Sequence, residues 1–173
     1  SGPYLQKRLR PNLTSILTRC SGMKERTSLD VQWDPTEQWH SLREWLPHLS
    51  HFFCNEAEAA SITNASELVA ACEILADMTA MPIVKTGKHG AALVAGGRVD
   101  LVPGFPVASV DTTGAGDCFD AGFLFGVLER HLATAECVRF ANAVAAHSCM
   151  YRGGVSPEAD RCSLNSFIEK VLI

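Results

Sequence analysis

Between Val110 and Phe119 the sequence reads Asp111-Thr112-Thr113-Gly114-Ala115-Gly116-Asp117-Cys118, a glycine-rich turn that ends in an acid and runs straight into an apolar stretch. It needs a helix to begin where the backbone has just turned tightly, and two glycines allow that turn. The first amides of such a helix have no carbonyl partners and lie at the positive end of its dipole, so they suit an anionic oxygen, phosphate above all. Asp117 is out of place in a simple anion site, because a carboxylate with an ordinary pKa of about 3.9 is charged at neutral pH and repels phosphate. It suits instead a hydroxyl that must lose its proton as it approaches the phosphate. Asp117 is therefore the candidate base, and the amides of Gly114, Ala115 and Gly116 the candidate anion hole. On an isolated Gly-x-Gly-Asp alone, a plain strand-to-helix turn with an acid near the first helical turn is the commoner reading. A Rossmann loop is excluded because Phe119 stands where a small residue is required, and a Walker loop because the chain has no Gly-Lys-Ser/Thr.

Hydrophobic spacing sets the remaining elements. A helix is predicted over Leu13 to Cys20, with Leu13, Ile16 and Leu17 on one face and Ser21-Gly22 closing it. A strand over Thr27 to Gln32 leads to a helix that starts with Asp34 as N-cap and Pro35 in its first turn and runs to about Leu46. Its Trp39, Leu42, Trp45 and Leu46 repeat at core spacing. The apolar stretch His51 to Cys54 predicts a buried parallel strand that delivers Asn55 and Glu58 beyond its carboxyl end. Next come a helix over Ser66 to Met78, a strand over Ile83 to Thr86, a turn at Gly87 to Gly90, and strands Ala91 to Ala95 and Arg98 to Val102 about a Gly96-Gly97 hairpin. Helices are predicted over Asp117 to Arg130, with Gly122 and Gly126 giving a face for close packing, then over Thr134 to Met150 and Ser163 to Leu172. Strands alternating with helices predict an α/β fold, layered α/β/α, with a mainly parallel sheet and one antiparallel piece.

The 173 residues make one domain or part of one. With 15 basic and 19 acidic residues the net charge is -4, and no basic stripe is interleaved with aromatics, which argues against nucleic acid. Lys7-Arg8-Leu9-Arg10 reads as a solvated face. The 7 cysteines include no Cys-x-x-Cys pair and fit a reducing compartment. The six histidines have no ligand spacing, so zinc chemistry is not expected. No charge-free run nears the roughly 18 residues of a membrane span, and no leader opens the chain, so a cytoplasmic protein with no membrane partner is expected.

The run Asp-Thr-Thr-Gly-Ala-Gly-Asp-x-Phe, followed by Ala121-Gly122-Phe123, resembles the second signature of the ribokinase-like (PfkB-type) carbohydrate kinases. Upstream, Asn55-Glu56-Ala57-Glu58 resembles that family's Asn-x-x-Glu element, and Val84 to Ala91 resembles its nucleotide strand and loop. The resemblance implies transfer of the ATP γ-phosphate to a sugar hydroxyl, with Asp117 as base and the amides of Gly114, Ala115 and Gly116 around the phosphoryl group. It implies that Asn55 and Glu58 hold magnesium through its water shell, although N-cap and N3 of a helix capping box is an equal reading of the pair. Lys85, Thr86, Gly87 and Gly90 would meet the ATP phosphates and ribose. Lys85 departs from the family's Thr-x-Gly pattern, which puts a hydroxyl contact there in doubt. Asn142 matches a position near adenine. Asp111 and Thr113 match positions that help hold a monovalent cation, potassium, with backbone oxygens from a later loop that includes Tyr151 to Gly154. Their alternative is a local turn in which side-chain oxygens tie down backbone amides.

The likeness runs from about Tyr4 to the end and covers only the C-terminal portion of complete family members. A partial ribokinase-like fold is therefore expected over residues 1–173, with the N-terminal half and the sugar lid absent. Such a chain is expected to form a homodimer through the face left uncovered. Two other functions stay open: a catalytically incompetent nucleotide-binding or assembly module, and a vitamin or nucleoside kinase of the same superfamily.

Overall fold

The structure is a computed structural model that describes residues 2–20, 27–154 and 156–172. The expected Ser21-Gly22 helix stop lies outside the described residues. The chain divides into two compact units, residues 1–85 with 92–100, and residues 86–91 with 101–173.

In the first unit, helix α1 (Leu13–Cys20) precedes strand β1 (Ser28–Asp30), a short helix α2 (Leu42–Trp45), strand β2 (His51–Asn55), helices α3 (Glu56–Thr63) and α4 (Leu68–Ala76), and strand β3 (Pro82–Lys85). β1 pairs parallel with β2, and β2 parallel with β3, with Leu29 opposite Phe52 and Phe53 opposite Ile83. Phe52, Phe53, Cys54, Ile83 and Val84 are buried, which is why these strands read as continuous apolar runs without alternation. Trp45, Leu42, Leu46, Phe52 and Leu75 form the centre of the core. Tyr4 closes one side of it, edge-on to Trp39 at 5.6 Å, with the Arg10 guanidinium 5.0 Å from the Tyr4 ring centroid.

The expected helix from Asp34 to Leu46 is not formed; only Leu42–Trp45 is helical. Both oxygens of Asp34 are taken inside the preceding loop, by the Thr36 amide and the Trp39 amide at 2.9 Å each and by the Thr36 hydroxyl. Asp34 thus caps a turn where a helix start was expected, an instance of a short polar side chain outcompeting the helix for backbone donors. Glu37, Trp39 and Ser41 take left-handed φ values of 54°, 51° and 67°, which no α-helix admits. The apolar spacing still marked the core, since Trp39, Leu42, Trp45 and Leu46 are all buried. Helix α3 starts where the capping-box reading of Asn55 and Glu58 puts a helix, and Asn64, at φ 57°, closes it before α4 begins.

The sheet has five strands in the order β1-β2-β3-β4-β5, where β4 is Gly90–Ala95 and β5 is Arg98–Pro103. Four residues separate β3 from β4, and only Gly96-Gly97 separate β4 from β5. Both connections are too short for a parallel crossover. The sheet is therefore mixed: β1 to β3 are parallel and the antiparallel hairpin at Gly96-Gly97 is present as expected, so the mainly parallel expectation is met only in part.

The second unit contains helices α5 (Ala115–Leu128), α6 (Thr134–Ser148) and α7 (Arg161–Leu172). α5 and α6 approach closely because α5 carries glycine at the contact: a Cβ on Gly122 would sit 3.0 Å from Val144 Cγ2, and one on Gly126 would sit 3.1 Å from Cys137 Sγ. Phe119 and Phe123 of α5 are buried, and Phe125 stacks on Phe140 at 5.9 Å.

Candidate active site

In the second unit the chain reaches the glycine turn through Val110 and Asp111, whose amides both donate to the Cys149 carbonyl, at 2.7 and 3.2 Å. Asp111 then ties two segments together. Its Oδ1 accepts from the Thr113 amide at 2.9 Å and the Thr113 hydroxyl at 2.7 Å, and its Oδ2 accepts from the Gly153 amide at 2.9 Å. These amide and hydroxyl donors, helped by Arg152, pull the Asp111 carboxyl down to about 2, so it stays charged well into acid. The local reading of Asp111 and Thr113 as turn-tying oxygens is thus present in the structure. Gly153-Gly154 packs directly on the turn, where a Cβ on Gly114 would lie 3.1 Å from Gly154 Cα.

Gly114 takes φ 77° as N-cap of α5 and has no side chain to cap it. Of the three candidate anion-hole amides, that of Ala115 donates to the Thr112 carbonyl at 3.1 Å. Gly116 and Asp117, second and third in the helix, have no carbonyl four residues back within it, and the helical ladder begins with Cys118 donating to Gly114. The Asp117 side chain is exposed in this first turn. The geometry is an open helix N-terminus with amides to offer and a carboxylate beside them.

The Thr86 to Gly90 turn lies in the same unit. The Thr86 amide donates to the Gly90 carbonyl at 2.8 Å, and the His89 amide to the Thr86 carbonyl at 3.2 Å. Gly87 faces open space, whereas Gly90, at φ 108°, leaves no room for a side chain. Asn142 is buried on α6, and its Nδ2 donates to the carbonyls of Val102 at 3.0 Å and Pro103 at 3.2 Å. Two carbonyl partners fix which end of the amide is the donor.

In the first unit, Asn55 ends β2 and caps α3. Asn55 Oδ1 accepts from the Glu58 amide and Glu58 Oε2 accepts from the Asn55 amide, each at 2.9 Å, a complete capping box. Glu58 is only 5% exposed, and burial raises its carboxyl above the ordinary range; nearby Asp30 pushes the same way, while the Asn55 amide and Lys85 oppose it. Lys85, opposite Asn55 in the sheet, reaches the Asp30 carboxylate at the end of β1 at 2.6 Å, with both side chains largely buried. Sequence reasoning missed Asp30, whose only signal was an acid closing a short β-prone stretch.

The capping box takes one oxygen from each of Asn55 and Glu58, and each oxygen has a second lone pair while Glu58 keeps a second oxygen. That oxygen-only set fits a hydrated magnesium ion, which prefers to keep its waters. Among the described residues no three His, Cys, Asp or Glu side chains form a group able to hold a metal directly, so water-mediated contact is the mode these residues suit. A cleft of about 440 Å³ in the first unit, lined by Trp39, His40, Arg43 and Ser61 among others, contains none of the candidate site residues.

A profile of the pfkB family carbohydrate kinases matches residues 4–161. The chain is 39% identical over 106 residues to a ribokinase of Bacillus subtilis, covering 61% of this chain and 35% of that protein. It is 38% identical over 101 residues to a cytidine kinase of Thermococcus kodakarensis, covering 57% of this chain and 36% of that one. Among solved structures, the adenosine kinase of Sinorhizobium meliloti superposes with a TM-score of 0.80 at 23% identity, over 97% of this chain and 52% of that one, a likeness of fold. The chain thus spans about a third of the two sequence relatives and about half of the solved structure. With the family profile matched over residues 4–161, nearly its whole length, the chain belongs to the pfkB family of carbohydrate kinases.

Proposed function

We propose that this chain is the C-terminal portion of an ATP-dependent sugar kinase, carrying the catalytic base and the nucleotide turn. The observation that carries the reading is the exposed Asp117 carboxylate in the first turn of α5, beside amides that the helix leaves unbonded. The sugar hydroxyl oxygen forms a bond to the γ-phosphorus as the bond from that phosphorus to the bridging β,γ-oxygen breaks, ADP leaves with that electron pair, and Asp117 accepts the hydroxyl proton. The amides at the α5 N-terminus stabilise charge on the transferred group. Thr86, Gly87 and Gly90 form the turn against the ATP phosphates and ribose. Magnesium, when bound through water at Asn55 and Glu58, supplies charge neutralisation on the phosphates. The carbonyl oxygens about Asp111, Thr113 and Tyr151 to Gly154 are the place for potassium. The ion pair with Asp30 makes Lys85 a weaker candidate for phosphate contact than its position implied. Cytoplasmic residence fits the seven free thiols. Among the described residues no helix is long and apolar enough to cross a membrane.

The test is ADP release with Mg-ATP across a panel of sugars, with ATP binding measured separately. Nucleosides belong in the panel, because the cytidine kinase relative favours a nucleoside as the second reading of the acceptor. ATP binding without ADP release for any acceptor would point to the assembly module instead. Glu58→Gln is expected to raise the magnesium concentration needed for half-maximal activity, since a carboxylate beside the metal's water shell becomes a neutral amide. A lower melting temperature with an unchanged magnesium titration would leave the pair as a helix cap alone.

A two-fold homodimer is part of the same proposal. Phe125 and Leu128 of α5 are 43% and 51% exposed, apolar area of the kind that association covers. Light scattering over a concentration series is expected to give twice the monomer mass, and a monomer at all concentrations would remove the dimer from the proposal.

A further inference from the structure

The nucleotide turn is braced from behind by a helix. Gly90 packs so tightly on the end of β5 that a Cβ there would lie 2.1 Å from the Val102 carbonyl oxygen and 2.5 Å from the Gly104 nitrogen. Gly104 in turn donates its amide to His89 at 3.1 Å, and a Cβ on Gly104 would lie 2.7 Å from the Lys88 carbonyl oxygen. The Lys88 to Gly90 backbone therefore takes its shape from Val102, Pro103 and Gly104. Val102 and Pro103 end β5 and Gly104 lies just beyond it, and the Val102 and Pro103 carbonyls are both held by one group, the Asn142 amide of α6. With 6% of its surface exposed and Nδ2 bonded to two carbonyls, Asn142 has no amide donor left to offer a nucleobase.

We infer that Asn142 is a positioning residue that fixes the Thr86 to Gly90 turn through the end of β5, and that it serves binding of the nucleotide's phosphate side without reading the base. The inference rests on the reading of that turn as a nucleotide site. A residue that reads adenine acts on selectivity between bases; a residue that shapes a phosphate-facing turn acts equally on every nucleoside triphosphate. Loss of the two part-buried hydrogen bonds releases both carbonyls and lets the β5 end shift, and a hydrogen bond contributes on the order of a fivefold to tenfold change in an equilibrium.

The experiment measures Mg-ATP and Mg-GTP affinity by calorimetry for the native protein, Asn142→Ala and Asn142→Ser, with melting temperatures alongside. Asn142→Ala is expected to weaken both nucleotides by about fivefold or more, with their ratio held within about twofold. Asn142→Ser, which keeps one donor, is expected to recover part of that loss and also covers the case in which the alanine variant does not fold. A changed ATP-to-GTP ratio would overturn the inference in favour of base contact. A lower melting temperature with both affinities intact would overturn it in favour of a purely structural bond. A native protein that binds neither nucleotide would overturn the nucleotide reading itself, and this inference with it.

Discussion

Asp117→Asn is expected to lower kcat by on the order of a hundredfold or more while leaving ATP affinity nearly unchanged, because loss of a general base commonly costs a factor of 10² to 10⁴. Asparagine keeps the size of the side chain and its place in the first turn of α5, so the helix and its amides survive and only proton acceptance is removed. The acid lies at the third helical position of α5, where it also gains from the helix dipole, and that gain is the smaller effect at about 0.3–1 kcal/mol. The two contributions separate cleanly. Turnover at saturating acceptor reads the base, and the melting temperature reads the dipole. Near-normal turnover with a lower melting temperature would reduce Asp117 to a helix-end charge.

Gly90→Ala is expected to destabilise the protein by at least about 3 kcal/mol, and to weaken nucleotide binding in whatever fraction folds. Two independent penalties act at this position. The φ of 108° lies outside the regions open to a residue with a Cβ, and the new methyl would stand 2.1 Å from the Val102 carbonyl oxygen. The neighbours it meets are backbone atoms, which cannot rotate away as a flexible side chain would. Gly87→Ala is the control, since nothing lies within 4 Å of the added carbon there and only the φ of 59° opposes it. Urea unfolding of the two variants tests this, and equal midpoints would show that the β5 end yields freely.

The parts of this molecule that were legible in the sequence are those whose causes are local. The glycine turn and α5 follow from residues within one helical turn of each other, and the Asn55 and Glu58 pair is a three-residue relation that the sequence showed in both of its meanings. The stretch from Asp34 to Leu46 failed for an equally local reason of the opposite kind. Its helical apolar spacing was correct for burial, but the Asp34 carboxylate gathered the Thr36 and Trp39 amides into a turn first. What periodicity could not reach was long-range. Lys85 meets Asp30 across 55 residues of sequence, and Asn142 meets Val102 across 40. Residue type announces a charge or an amide, and only the folded chain decides which partner spends it.

The fork of hydrogen bonds on Asp111 bears on how the glycine turn is held. One carboxylate grips the glycine turn through Thr113 and the later loop through Gly153, while the Val110 and Asp111 amides hold the end of α6 through Cys149. The intervening helices α5 and α6 are thereby closed into a ring, clasped by the Asp111 carboxylate and by the Val110 and Asp111 amides. Asp111 thus links the turn before Asp117 to the loop after α6, so Asp111→Ala is expected to loosen both segments together.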